Sequence, residues 1–295
     1  MSRSKAGRRP FYENVQAHYD LSDDFFALFL DASRTYSCAY FREPEMSLEA
    51  AQQAKIDHTL AKLDLRPGQR LLDIGCGWGA TAIRAADQYG VRAVGLTLSK
   101  NQHQHAQSLV AGRDDVEFRL QGWEEFDEPV DRIVSIGAME HFRFERYPEF
   151  FQACRRCLPD DGRMVLHLIV QGTSQTLQPG QPEWDEDLLA YMKFIRQYIF
   201  PGGQVPPRDL VIVNAQATGF EITQIESLRP HYAQTLDHWA ARLEANRARA
   251  LELVGEEIYD RYMFYLTRSA YYFRTGHSDV VQFTCQRKAD GDSAE

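Results

Sequence analysis

Between residues 47 and 171 the apolar positions switch repeatedly between two periods. "SLEAAQQAKIDHTLAKLDL" keeps an apolar stripe at helical spacing, with Ser47 as N-cap and Glu49 in the first turn. "RLLDIG", "VRAVGLTL", "VEFRLQ", "VDRIVSIGA" and "GRMVLHLIV" are short apolar runs bounded by turn residues, and each predicts a strand. "WGATAIRAADQY", "SKNQHQHAQSLVAG" (capped by Ser99) and "ERYPEFFQACRRCL" are the helices between them. Strands alternating with helices of this length predict βαβ units: an α/β fold with a doubly wound, mostly parallel sheet. The rhythm then changes. Residues 171–207 are rich in Gln, Pro and Gly around one aromatic helix, "WDEDLLAYMKFIRQYIF". "HYAQTLDHWAARLEANRARALELV" and "EEIYDRYMFYLTRSAYYFRTG" predict two long helices, and "FEITQIESL" and "DVVQFTCQRK" predict closing strands. The expected organisation is a basic arm (1–12), one domain (13–287) with N-terminal helices over 13–65 and an inserted helical lid over 171–207, and a polar tail (288–295).

Charge narrows the class. A net charge of −9 argues against a nucleic-acid binder, whose footprint is a basic face. Only "MSRSKAGRRP" is basic, and it lacks the apolar core of a secretory signal. No window approaches the roughly 20 apolar residues of a spanning helix, so any membrane contact would be peripheral. The five cysteines, an odd number with no signal segment, point to a reducing, cytoplasmic setting, with a peripheral place at the inner membrane face left open. Cys154 and Cys157 form a C-x-x-C, but no second pair completes a zinc site, and no metal is expected.

Candidate chemistry begins at "LLDIGCGWGA". Gly75, Gly77 and Gly79 in a strand-to-helix turn let backbone approach a ligand closely. The run also satisfies the dinucleotide pattern. A dinucleotide site wants a carboxylate at the end of the second strand, where this chain has Thr97. Asp73 stands two residues before the first glycine, which favours a methyl-donor loop.

At this point the chain resembles the cyclopropane fatty-acid and mycolic-acid synthases, S-adenosylmethionine-dependent methyltransferases acting on lipid double bonds, and the mycolic-acid branch most. The resemblance rests on "VQAHYDLSDDFFALFLD", "TYSCAYF", "RLLDIGCGWGAT", "VGLTLSKNQ", "GWEEFDEPVDRIVSIGAMEHF", "FPGGQVP", "LRPHYAQTLDHW" and "RYMFYLTRSAYYFRTG", spread over about residues 11–287. It implies a seven-stranded methyltransferase sheet with a helical cap over a lipid site. It implies S-adenosylmethionine contacts from Tyr36 and Ser37 (methionine part), Asp73, Gly75, Cys76, Gly77, Trp78 and Gly79 (loop), Thr97, Leu98 and Gln102 (ribose), and Gly122, Trp123 and Glu124 (adenine). It also implies a bicarbonate held as base by Glu140, His167 and Tyr232 with the backbone of Cys38 and Ile136. His141 has no role in that set. The implied partner is a long unsaturated acyl chain on an acyl carrier protein or a membrane lipid; the oligomeric state is open.

The chemistry suits these residues. An alkene attacking a sulfonium methyl leaves a carbocation that must be kept from water, and ring faces stabilise such a charge by up to ~2 kcal/mol each. Tyr19, Phe25, Phe26, Tyr36, Tyr40, Tyr191, Phe194, Tyr198, Phe200, Tyr265 and Phe273 are the candidate rings, about a third of them expected to line the pocket. Capture of the cation by water would instead give a hydroxylated, methyl-branched lipid, and a more distant reading is O- or N-methylation of a small molecule. Ser269 occupies a position where relatives commonly carry a cysteine, which makes a thiol nucleophile doubtful.

Overall fold

The computed structural model describes residues 23–288. The basic arm, Tyr19, the first part of the expected N-terminal helices and all but one residue of the tail lie outside them. Short helix α1 (Asp23–Ala27) and α2 (Leu48–Ala61) precede the sheet. The alternation follows: β1 (Arg70–Ile74), α3 (Ala80–Tyr89), β2 (Arg92–Thr97), α4 (Lys100–Leu109), β3 (Val116–Leu120), β4 (Arg132–Ile136), α5 (Tyr147–Cys157) and β5 (Arg163–Gln171). The lid carries α6 (Glu186–Phe194), which runs into a wider π turn (Ile195–Ile199). Then come α7 (Arg208–Ala217), β6 (Phe220–Ser227), α8 (Arg229–Ala245), α9 (Arg247–Thr275) and β7 (Ser278–Arg287).

The seven strands form one sheet in the order β3-β2-β1-β4-β5-β7-β6. β7 runs antiparallel to both β5 and β6, and the other pairings are parallel. Strand order therefore reverses between β1 and β4, the place where such sheets open a crevice at their carboxyl ends. Local caps fix the helices that frame it. Ser47 Oγ accepts from Ala50 N–H, Ser99 Oγ from Gln102 N–H, and Asp185 Oδ1 from Leu188 N–H.

Two features differ from the sequence reading. α7 was not expected: Pro207 sets its entry, and Val211 and Ala215, one helical turn apart, are both fully buried. The expected boundary between the two long helices, at Gly255, is present as a break in the helix, but a further break that was not expected falls at Asn246. Within α9 the helix breaks at Gly255 (φ 77°, ψ 168°), a conformation that an L side chain resists. A single aromatic core then joins α1, α8 and α9. Phe25, Phe26, Phe29, Trp239 and Tyr262 are all buried there, Phe25 meeting Tyr262 edge-on at 4.9 Å.

Candidate active site

Two cavities lie over the carboxyl ends of the strands. The first, about 120 Å³, is lined by Tyr36, Ser37, Asp73, Gly75, Cys76, Gly77, Trp78, Thr97, Leu98, Gln102, Gly122, Trp123, Glu124 and Ile136. All the residues expected at the methyl donor are gathered there except Gly79. That glycine (φ 97°) heads α3, and a Cβ on it would stand 2.5 Å from Phe118 Cζ. Its absence of side chain serves helix-on-sheet packing.

The polar groups of this cavity are buried and partly unanswered. Thr97 Oγ1 donates to Gln102 Oε1 at 2.8 Å, which leaves the Gln102 amide nitrogen as a donor. Asp73 is 2% exposed and its Oδ2 has no hydrogen-bond partner. Burial pushes its carboxyl up to about 7, with the Lys55 ammonium pulling the other way. Glu124 Oε1 pairs with Arg146 Nη1 at 3.0 Å, while Oε2 is buried and unpartnered. Burial raises Glu124, and its own backbone N–H and Arg146 oppose the rise. Orphaned carboxylate oxygens in a closed site fit a ligand rich in N–H donors and positive charge.

Lys55 is a site residue that the sequence reading passed over. It lines this cavity, is 1% exposed, and donates from Nζ to Ser37 Oγ at 2.9 Å. Burial pushes its ammonium down to about 8. The available signal was its place four residues after Ala51 and four before Thr59, on the buried face of α2.

The second cavity, about 340 Å³, is predominantly apolar and lies under the lid. Glu140, His167, Tyr232 and Cys38 all line it, so the trio separated by up to 92 positions converges in space. Ile136 sits beside His167 in the parallel β4–β5 register. Glu140 Oε1 accepts from Ile169 N–H at 2.8 Å, and Oε2 is buried without a partner. Burial pushes Glu140 up to about 7 against the pull of that N–H. His167 is 2% exposed; its Nε2 is likewise unpartnered, and burial first, then nearby Lys55 and Lys62, keep the ring neutral. Of the candidate rings, Tyr36, Tyr191, Phe200, Tyr265 and Phe273 line this cavity. Phe25 and Phe26 pack in the core, Tyr40 stacks on His58, and Tyr198 is largely exposed.

The lid contributes Leu177, Trp184, Leu188, Tyr191 and Met192 to the wall. It is tied down where Gln204 N–H donates to the Glu140 carbonyl at 2.8 Å, and by a hydrogen bond between Tyr191 and Ser269 hydroxyls. His141, left outside the expected anion-holding set, is nevertheless a cavity residue. It lines both cavities, with its ring edge-on to Phe200 at 6.1 Å, and burial pushes it down to about 4, so it stays neutral. Tyr36, Ser37 and Gly137 also belong to both cavities. Cys154 and Cys157 are buried free thiols on α5. Among the described residues, no helix is long and apolar enough to cross a membrane.

This sheet, with its glycine loop at the switch point, defines an S-adenosylmethionine-dependent methyltransferase. The chain belongs to the mycolic acid cyclopropane synthetase family, whose family model matches residues 7–283. It is 54% identical over 282 residues to cyclopropane mycolic acid synthase 1 of Mycobacterium tuberculosis, covering 95% of this chain and 98% of that protein. The solved structure of the cyclopropane synthase MmaA2 from the same organism superposes with a TM-score of 0.91 at 52% identity, covering 94% of this chain and 99% of that one. Mycolic acid cyclopropane synthase CmaA1, solved in complex with SAH and CTAB, gives 0.90 at 55% identity, with 95% and 99% covered.

Proposed function

We propose that this enzyme adds the methyl carbon of S-adenosylmethionine across a C=C bond of a long acyl chain, of mycolic-acid type, and closes a cyclopropane ring. The observation that carries this reading is the pairing of cavities. One with orphaned buried acceptors adjoins a larger, apolar one lined by Glu140, His167 and Tyr232, and they share Tyr36, Ser37 and Gly137. In the first, Asp73 and Glu124 receive the amino groups of the methyl donor, and Trp78 and Trp123 flank it. In the second, the rings shield the cation that alkylation leaves on the acyl chain, and the lid excludes water.

Ring closure releases a proton from the added methyl. The cradle fits bicarbonate on the structure's own terms: an unpartnered imidazole nitrogen and an unpartnered carboxylate oxygen line one cavity with the Tyr232 hydroxyl. Bicarbonate held there would supply a small base. Glu140, His167 and Tyr232, with the Cys38 and Ile136 backbone, would fix its orientation. Position 269 is a serine, and Cys38, the cysteine that lines the lipid cavity, is a thiol whose pKa burial pushes up, which disfavours the nucleophilic thiolate.

Mass spectrometry and proton NMR of lipids from cells with and without the enzyme test the reading. The expected product is heavier by one CH2, lacks the alkene and shows ring protons. Gain of CH2 plus water would mean capture of the cation by solvent, and an unchanged acyl pool would overturn the substrate class.

The donor cavity makes its own prediction. Burial holds Asp73 up at about 7 even with the Lys55 ammonium nearby, and a second ammonium group placed beside it would lower that value. SAH binding at neutral pH should therefore release protons, and its affinity should rise with pH through that region. Calorimetry in buffers of different ionisation enthalpy measures the release. Asp73→Asn should abolish it, and release undiminished in that variant would remove Asp73 from the amino-group contact.

A further inference from the structure

One row of the sheet runs Glu226 (β6), Gln282 (β7), His167 (β5) and Ile136 (β4), each opposite the next in register. Registered neighbours project to one face of a sheet, and α2 supplies Thr59 and the adjoining Lys62 to that face. Gln282 is fully buried, and its amide orientation is fixed twice over. Lys62 Nζ, which can only donate, bonds to Gln282 Oε1. Thr59 spends its single hydroxyl proton on the Lys55 carbonyl at 2.8 Å, so the Gln282 group 2.8 Å from Thr59 Oγ1 must be the NH2.

That NH2 also lies 3.1 Å from His167 Nδ1. The nitrogen facing it must offer a lone pair. A neutral imidazole carries one proton, which is then forced onto Nε2, the atom that has no protein partner. We infer that Gln282, clamped by Lys62 and Thr59, is a positioning residue that fixes His167 as the Nε2–H tautomer. The imidazole thereby meets a bound oxyanion as a hydrogen-bond donor and does not act as the base.

The chain of contacts continues outward. Lys62 also bonds to Glu226, which His58 meets through Nε2 at 2.8 Å, so the clamp is anchored near the surface. Proton acceptance therefore falls to the anion, and His167 supplies direction. This assignment rests on the anion-cradle reading above, but its central claim about the tautomer does not need the anion present.

Nitrogen NMR of the full chain with labelled histidines, with His167 assigned by its loss in His167→Asn, tests the tautomer directly. The expected signal is Nε2–H in the wild type and Nδ1–H in Gln282→Glu, where a carboxylate replaces the donor. An Nδ1–H signal for His167 in the wild type would overturn the inference whether or not the Gln282 variants fold. Gln282→Met, which keeps the volume and removes the clamp, should cut turnover by roughly 10–100-fold, as loss of an outer-shell partner of a ligating histidine does. Raised bicarbonate should restore part of that loss while the KM for S-adenosylmethionine stays constant. Unchanged turnover in Gln282→Met would also overturn the positioning role. Turnover indifferent to bicarbonate in wild type and variant alike, with the Nε2–H signal intact, would instead remove the bicarbonate and leave the tautomer assignment standing.

Discussion

Glu140→Gln is expected to lower product formation by about 10²–10⁴-fold while SAH binds as before, the range for loss of a group that serves proton transfer. The amide would keep its oxygen on the Ile169 N–H and turn its NH2 into the cavity, so the one orphaned acceptor becomes a donor. A bound bicarbonate would then lose the carboxylate as acceptor for its own hydroxyl and gain an amide donor in its place. Folding stability should move the opposite way. Glu140 titrates near 7 in the fold and lower when unfolded, so the native state holds the extra proton. Its contribution is full below the unfolded value and is lost as pH rises through 7. The Gln variant lacks that penalty and should gain stability over the wild type as pH climbs. Denaturant titrations across this range, run beside product assays, separate a chemical defect from a folding one. A variant with wild-type turnover would dismiss the cradle.

Gly75→Val should abolish measurable SAH binding and cost about 2–5 kcal/mol of stability, from a left-handed backbone and an overfilled contact together. Gly75 has φ 80°, and a Cβ on it would collide with the Ala138 Cβ. Ala138 follows β4 and directly precedes the turn that bears Glu140. The added methyls must therefore displace either the donor loop or the catalytic turn. Urea unfolding and calorimetric titration with SAH read the two effects. Tight SAH binding by this variant would mean that the loop can open without loss.

The parallel half of the fold was legible because each strand and helix there announces itself locally, through short apolar runs, Ser47 and Ser99 caps, and glycine turns. The late half hid a break. In "EANRARALELV" the single weak helix former Asn246 is flanked by Ala, Glu, Arg and Leu, so propensity over the segment favours an unbroken helix where α8 in fact ends. The donor cavity was readable from its loop, since Asp73 to Trp78 are contiguous. The second cavity was not readable from spacing: Glu140, His167 and Tyr232 lie on a turn, a strand and a helix, and only family likeness joined them. Lys55, Lys62 and Gln282 went unnoticed for a related reason. Periodicity can mark a polar residue as facing inward, but its partner here lies up to 220 positions away.

The wall held in common by the two cavities has a consequence for the path of the transferred carbon. Gly137, which lines both, carries no side chain, and the nearest atom a Cβ there would meet is the Ser37 Cβ at 3.9 Å. Donor and lipid can each be lodged in separate chambers that share Tyr36, Ser37, Gly137 and His141 as a common boundary. A carbon moving from donor to lipid would have to cross that shared boundary.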